Sequence, residues 1–366
     1  MAELWTIWRE EFPVTKNLVY ANHAAVTPLP ASVAAAMADL AADVRDWGSL
    51  HYESWLAAYE GVREETAQLI HCSPREVAIV KNTSEGIATV ALGLDWKAGD
   101  IVVAFREEFP ANYYPWLRLQ EKGVSVRWLS IHDPLEKIDE AAKGARLLAV
   151  SYVNYLSGYR VDLAAIGEIC RRHDCFYFVD AIQGMGALPM DVERDGIDAL
   201  AADGHKWLLG PEGCGILYVR RSVQDQVEPV EFGWTNVAAY ADYASRDMTL
   251  RSDAGRYEPG TLNTIGIFGL RAAMTLINRI GVEAIAAAVL ARARQVEEGA
   301  LSKGYEVLPT GSGIVTFRKE GIDSRMIVSR LRAAGIVTAP RQGYVRTSPH
   351  FYVSPDGIGR LLAELP

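Results

Sequence analysis

Cysteine is scarce and follows no pairing pattern. The 366-residue chain has four, Cys72, Cys170, Cys175 and Cys214, and no C-x-x-C. Four thiols at these spacings build no disulfide scaffold, and small buried or half-buried thiols are expected. His71-Cys72 and His173-Asp174-Cys175 match no zinc spacing, so no metal is expected. An excess of base is missing too. Lys and Arg number 37 against 46 Asp and Glu, a net charge of −9, with no block of like charge. Nucleic acid and anionic membrane are therefore not expected partners. MAELWTIWREEF lacks the basic start and apolar core of a signal peptide. No apolar run is long enough to span a bilayer, and a cytoplasmic protein is expected. Nor does a G-x-G-x-x-G lie between a strand and a helix, so the glycines of GMG and GPEGCG mark no dinucleotide fold. Internal repeats and low-complexity linkers are absent.

What is present is an ordinary globular balance, 49% apolar and 23% charged residues, in a chain long enough for two domains. Its middle alternates strands and helices. Strands are predicted at 76–82, 100–105, 124–130, 145–153, 175–181 and 214–220, with helices at 84–96, 112–123 and 163–174. Several strands are continuous apolar runs, which points to a parallel sheet buried on both faces by helices. Near the start, Val33, Met37, Leu40, Val44 and Trp47 fall at helical spacing. Near the end, Ile285, Val289, Ala293 and Val296 mark the buried face of an alanine-rich helix. A strand at 313–319 and helices at 324–335 and 357–365 follow. The expected division is a large α/β domain over 15–264 and a smaller α/β domain over 265–366 together with 1–14.

The chemistry gathers around AADGHKWLLGPEGCG (201–215). A lysine is usually left in water, yet Lys206 sits between an apolar strand and a turn rich in glycine. Upstream, Asp180 ends the apolar strand of FVDAIQGMG. Ligands of parallel sheets bind beyond the carboxyl ends of strands, so both side chains point to one crevice. A desolvated lysine loses its proton and attacks an aldehyde to give a Schiff base. With pyridoxal phosphate as that aldehyde, an aspartate at the ring nitrogen keeps it protonated and strengthens the electron sink.

The stretch VDAIQGMGALPMDV…ALAADGHKWLLGPEGCGILYVRR resembles the signature of class V aminotransferases. These are fold type I pyridoxal-phosphate enzymes that include cysteine desulfurases, kynureninase and isopenicillin N epimerase. The likeness runs from about residue 18 to the end, and its D-x-x-Q and H-K-x-x-x-G-P-x-G elements are specific. It implies pyridoxal 5′-phosphate as cofactor, Lys206 as the Schiff-base lysine, Asp180 at the pyridine nitrogen and Gln183 at the ring hydroxyl. Thr83 and Ser84, where NTSEG turns from strand to helix, would hold the phosphate at free N–H groups and the positive helix end, with His205 as a further contact. Phe109 in EEFPANYYPW would stack on the ring where desulfurases carry histidine; phenylalanine stacks but moves no proton. In SYVNYLSGYRVDL, Asn154 or Tyr155 would reach the ring hydroxyl, and Asn154 is preferred. RYEPGT resembles R-F-E-x-G-T, which implies that Thr261 reaches the phosphate of a neighbouring subunit in a homodimer with shared active sites. Arg346 in GYVRTSPHFY would clamp the α-carboxylate of an amino-acid substrate. His23 in YANHAAVTPLP would line the substrate side.

Two departures narrow the chemistry. Where the family often has a serine facing the phosphate, this chain has Asp203, which is repulsive there unless it points away or pairs with a base. No cysteine lies between 215 and 366, whereas desulfurases take sulfur on a mobile cysteine in that region. The resemblance, by the family's name as much as by the chemistry, ranks transamination first. The alternatives are a cysteine-type C–S β-lyase that releases free sulfide, an amino-acid epimerase and, last, a non-catalytic binding protein.

Overall fold

The computed structural model describes residues 3–366. Seven strands form the central sheet: β1 (Val77–Val80), β2 (Ile101–Phe105), β3 (Ser125–Leu129), β4 (Leu147–Ser151), β5 (Phe176–Asp180), β6 (Ala199–Asp203) and β7 (Gly215–Val219). Their order is β1-β7-β6-β5-β4-β2-β3, and only β7 runs against the others. Successive side chains of a strand point to opposite faces. Here the alternation feeds two cores. Val103, Leu148, Val150, Tyr177, Val179 and Leu200 enter one; Val102, Leu147, Ala149, Phe178 and Ala199 enter the other. The fold is thus the expected α/β architecture of fold type I, with a mostly parallel sheet flanked by helices.

Helices α1 (Ala31–Trp47) and α2 (Tyr52–Ile70) precede β1, and α3 (Thr83–Gly93) follows it. The apolar stripe read for α1 is buried only in part. Val33 and Leu40 are buried, but Val44 and Trp47 are 40% and 62% exposed, because the helix runs beyond the core it leans on. Helix α4 (Thr264–Ile280) packs on α1 and α2. The chain then turns by 85° at Gly281 into α5 (Val282–Ser302). All four residues read as its inner face are buried: Ile285, Val289, Ala293 and Val296.

The C-terminal part holds a small antiparallel sheet that includes β8 (Val315–Arg318), β9 (Ala339–Arg341) and β10 (Tyr344–Thr347). The N-terminal Val19–Tyr20 pairs in parallel with Ile336–Val337, and Asn22 bridges to Ser348. Two features therefore cross the expected division at 265. Helix α4 rests on the helices of the large layer, and the segment through Asn22 is stitched to the C-terminal part. Among the described residues, no single helix is long and apolar enough to cross a membrane, and no three His, Cys, Asp or Glu side chains gather as a metal site.

Candidate active site

The site lies beyond the carboxyl ends of β4, β5 and β6. Asp180 is the last residue of β5 and is 3% exposed. Its Oδ1 accepts from the Ile182 N–H at 3.1 Å. Burial pushes its carboxyl up to about 6, against that hydrogen bond and the attraction of Lys206. Lys206 follows β6 by three residues. Burial pushes its ammonium down to about 8; Arg346 and Arg341 push the same way, while Asp180 and Asp203 oppose them. The two residues singled out in sequence thus lie within electrostatic reach of one another, each moved toward its neutral form by desolvation.

The loop carrying Lys206 is tightly held. The Gly204 N–H donates to Cys214 O at 2.9 Å and the Gly210 N–H to Gly204 O at 2.8 Å. A Cβ on Gly204 would meet that Cys214 oxygen at 2.7 Å, so only glycine allows this approach. The Thr27 N–H donates to His205 O at 2.8 Å, pinning the N-terminal segment to the loop. The Trp207 indole donates to Gln183 Oε1 at 2.9 Å, and Gln183 Nε2 donates to Ala24 O at 3.0 Å. One Nε2 hydrogen of Gln183 remains for another acceptor.

Phe109 is 46% exposed, with the Lys206 Nζ 5.8 Å from its ring centroid. It meets Tyr155 edge to face at 5.2 Å. The loop bearing it is anchored by Glu108, to which the sequence reading assigned no role. Glu108 Oε1 accepts from the Ser151 N–H at 2.7 Å, and its Oε2 contacts Ser151 Oγ. Burial pushes the Glu108 carboxyl up to about 8, with the Asp180 charge adding to the shift. No signal in EEFPANYYPW separates it from Glu107, which instead bonds Ser130 Oγ at 2.8 Å.

Arg346 on β10 is 2% exposed. Its Nη1 donates to Tyr155 O at 2.6 Å, and its Nε has no partner. A buried guanidinium without a facing carboxylate is costly; burial, with Arg341 beside it, pushes this one down to about 10. An incoming carboxylate would relieve that cost. At the start of α3, Asn82 caps the helix through Glu85 N, and the buried Thr83 Oγ1 has no partner. Ser84 is exposed beside it. Asp203 Oδ1 and His205 Nδ1 are also buried without hydrogen bonds. Orphaned polar atoms at a helix N-terminus and around Lys206 fit an anionic, phosphate-bearing cofactor.

Three more of the expected residues have these surroundings. His23 is fully buried; its Nδ1 meets Ser348 O at 3.1 Å and its Nε2 meets the Tyr352 hydroxyl at 2.7 Å. Burial pushes its imidazole down to about 3. With both nitrogens spent, it has none for a substrate, and it clasps the N-terminal segment to the C-terminal part. Asn154 uses Oδ1 for the Leu156 and Ser157 N–H groups at 3.0 and 2.9 Å, and Nδ2 for Glu107 O at 2.8 Å. These bonds shape the loop and, as at Gln183, leave one amide hydrogen for another acceptor, while the neighbouring Tyr155 accepts from Gln342 Nε2 at 2.8 Å and packs on Phe109. Thr261 is exposed on the wall of a cavity of about 580 Å³, with Lys81, Cys214 and Phe232.

Residues 19–350 match the family described as Aminotransferase class-V. The chain belongs to the class V aminotransferases. These are pyridoxal-phosphate-dependent enzymes. A probable cysteine desulfurase of Methanothermobacter thermautotrophicus is 35% identical, over 76% of this chain and 71% of its own. The uncharacterized aminotransferase YcbU of Bacillus subtilis is 30% identical, over 98% of this chain and 96% of its own. Among solved structures, the apo cysteine desulfurase of Thermococcus onnurineus NA1 superposes with a TM-score of 0.92. It is 26% identical and covers 99% of this class V chain and 97% of its own.

Proposed function

We propose that this class V protein is a pyridoxal-phosphate-dependent C–S β-lyase acting on a cysteine-type amino acid and releasing its sulfur without an enzyme-bound persulfide. The amino-acid reading is carried by Arg346, a buried guanidinium with an open Nε and no acid beside it. The sulfur reading is supported by two relatives named as cysteine desulfurases, one probable. Release of free sulfide is supported by the thiols. The region after residue 215 has none, and burial pushes the Cys214 thiol well up, where it is a poor nucleophile.

When bound, the cofactor supplies an aldehyde that condenses with amines and a ring that accepts electron density. Lys206 is the amine that meets it, and a value near 8 leaves a useful fraction unprotonated at neutral pH. Asp180 would hold the proton on the ring nitrogen, Phe109 would cover one face, and Gln183 would offer its free N–H to the ring hydroxyl. Thr83, Ser84 and His205 would hold the phosphate. Arg346 orients the α-carboxylate, and the freed Lys206 amine takes the α-proton. The net reaction turns cysteine and water into pyruvate, ammonia and hydrogen sulfide. Thr261 would complete the site of a second subunit in a homodimer.

A second reading, transamination, is supported by the near full-length likeness to YcbU. One experiment separates the two. Holoenzyme is mixed with cysteine, and sulfide, pyruvate and ammonia are assayed alongside the absorbance. Stoichiometric sulfide and pyruvate with a persistent yellow band are expected. A band that bleaches, and returns only on adding a keto acid, would establish the aminotransferase instead. Lys206→Ala should lose both the covalent band and turnover.

A further inference from the structure

Strand β6 ends in a carboxylate where the family resemblance implies a serine hydroxyl facing a phosphate. Asp203 is 5% exposed. Its Oδ2 lies 3.0 Å from His205 Nδ1, yet the contact is out of line for a hydrogen bond, and Asp203 Oδ1 and His205 Nδ1 are both left unpartnered. The start of α3 lies against the same strand: a Cβ on Gly86 would come within 2.6 Å of the Ala201 Cβ. Thr83, three residues before Gly86, contributes a third buried orphan, its Oγ1. Two other titratable groups lie close. The Lys206 ammonium is attracted by Asp203, and the Cys214 thiol is kept neutral by burial and by the Asp203 charge. Glu85 in the first turn of α3 faces Lys81, at 3.0 Å.

We propose that Asp203 is a positioning residue that holds His205 as a cation against the cofactor phosphate. The proposal rests on the reading that pyridoxal phosphate binds with its phosphate at Thr83. A neutral imidazole has one N–H. To donate to Asp203 through Nδ1 and to the phosphate through Nε2, His205 must carry both protons. A carboxylate on one side and a phosphate on the other favour that state. The pair then replaces the neutral hydroxyl of the family with a charge-assisted donor, and the Asp203 charge is neutralised by the histidine instead of repelling the phosphate.

The test is cofactor binding by the apoprotein, measured by equilibrium dialysis, with the 31P resonance of the bound phosphate as a second readout. Asp203→Asn and Asp203→Ser should each weaken binding about tenfold and make the 31P resonance titrate where that of the native protein does not. In a His205→Gln background the same substitutions should no longer weaken binding but tighten it, because the Asp203 charge then faces the phosphate with no cation between them. Unchanged or tighter binding in Asp203→Asn and Asp203→Ser, as simple repulsion would give, overturns the proposal. Equal losses in both backgrounds overturn it as well. Failure of the native protein to take up the cofactor would instead overturn the site reading on which the proposal stands.

Discussion

At the scale of single residues, the site is a set of groups held away from their ordinary charge states. Asp180 and Glu108 are buried carboxyls pushed up to about 6 and about 8, neither with a cation in hydrogen-bond contact. An acid whose folded value is raised is protonated in the native state at pH values where the unfolded chain has lost the proton. Apoprotein stability therefore falls as pH rises from 4.5, the ordinary value of Glu108, to about 8. Glu108→Gln keeps a neutral hydrogen-bonding group and removes that loss. Chemical denaturation across this range should show a flatter profile for the variant, more stable than the native apoprotein at pH 8 by roughly 2–4 kcal/mol. A parallel profile would mean that Glu108 is ionised in the fold. Residue roles were legible only where type and place coincided. Lys206 and Asp180 stand out because an ionisable group at the end of an apolar strand is conspicuous. Glu108 sits in a polar pair, and only its burial separates it from Glu107. His23 misleads for the opposite reason: a histidine in a loop gives no sign that Ser348 and Tyr352, over 300 residues away, occupy its nitrogens.

At the scale of elements, the segment 256–261 is held by an ion pair under its middle. Arg63 of α2 and Glu258 are 5% and 4% exposed, and Arg63 Nη2 lies 2.6 Å from both Glu258 oxygens. Glu258 Oε1 also accepts from the Ile79 N–H of β1 at 2.8 Å. The glutamate of RYEPGT is thus an anchor that fastens the Thr261 loop to a helix and a strand. Glu258→Ala leaves a buried guanidinium unpaired and should cost about 3–5 kcal/mol in the unfolding free energy. The double variant Arg63→Met, Glu258→Leu should recover much of it, which thermal or urea unfolding will read. Six of the seven central strands were legible within about two residues, because an apolar run buried on both faces looks the same wherever the sheet places it; β6, in ALAAD, was given no bounds. The short strands β9 and β10 were not, since APR and YVRT have neither length nor alternation. Helix α4 escaped for a related reason: TIGIFGLRAAMTLINRI carries apolar residues around most of its surface, which blurs the helical period.

At the scale of the whole molecule, Thr261 lines a cavity at the surface, and two large apolar side chains are exposed near it. Phe232 and Trp234 are 54% and 47% exposed on the neighbouring segment. A homodimer that shares its sites would cover this face and bring Thr261 to a phosphate. Sedimentation should give a dimer, and Thr261→Ala should weaken cofactor binding several-fold while the melting temperature of the apoprotein stays unchanged; a monomer, or unchanged affinity, would place the threonine outside the site. One property of the sheet reaches further. Because β7 alone runs against its neighbours, the connection that carries Lys206 is an eleven-residue bridge between adjacent antiparallel strands, 204–214, and not a crossover through a helix. Both ends of the bridge are locked by the Asp203–Gly215 pair and the Gly204–Cys214 hydrogen bond. The lysine therefore has a fixed root and a free tip. Once a substrate amine has replaced it on the cofactor, the Lys206 amine would need only side-chain torsions to move, and amide hydrogens along the bridge should exchange as slowly in the working enzyme as in the resting one.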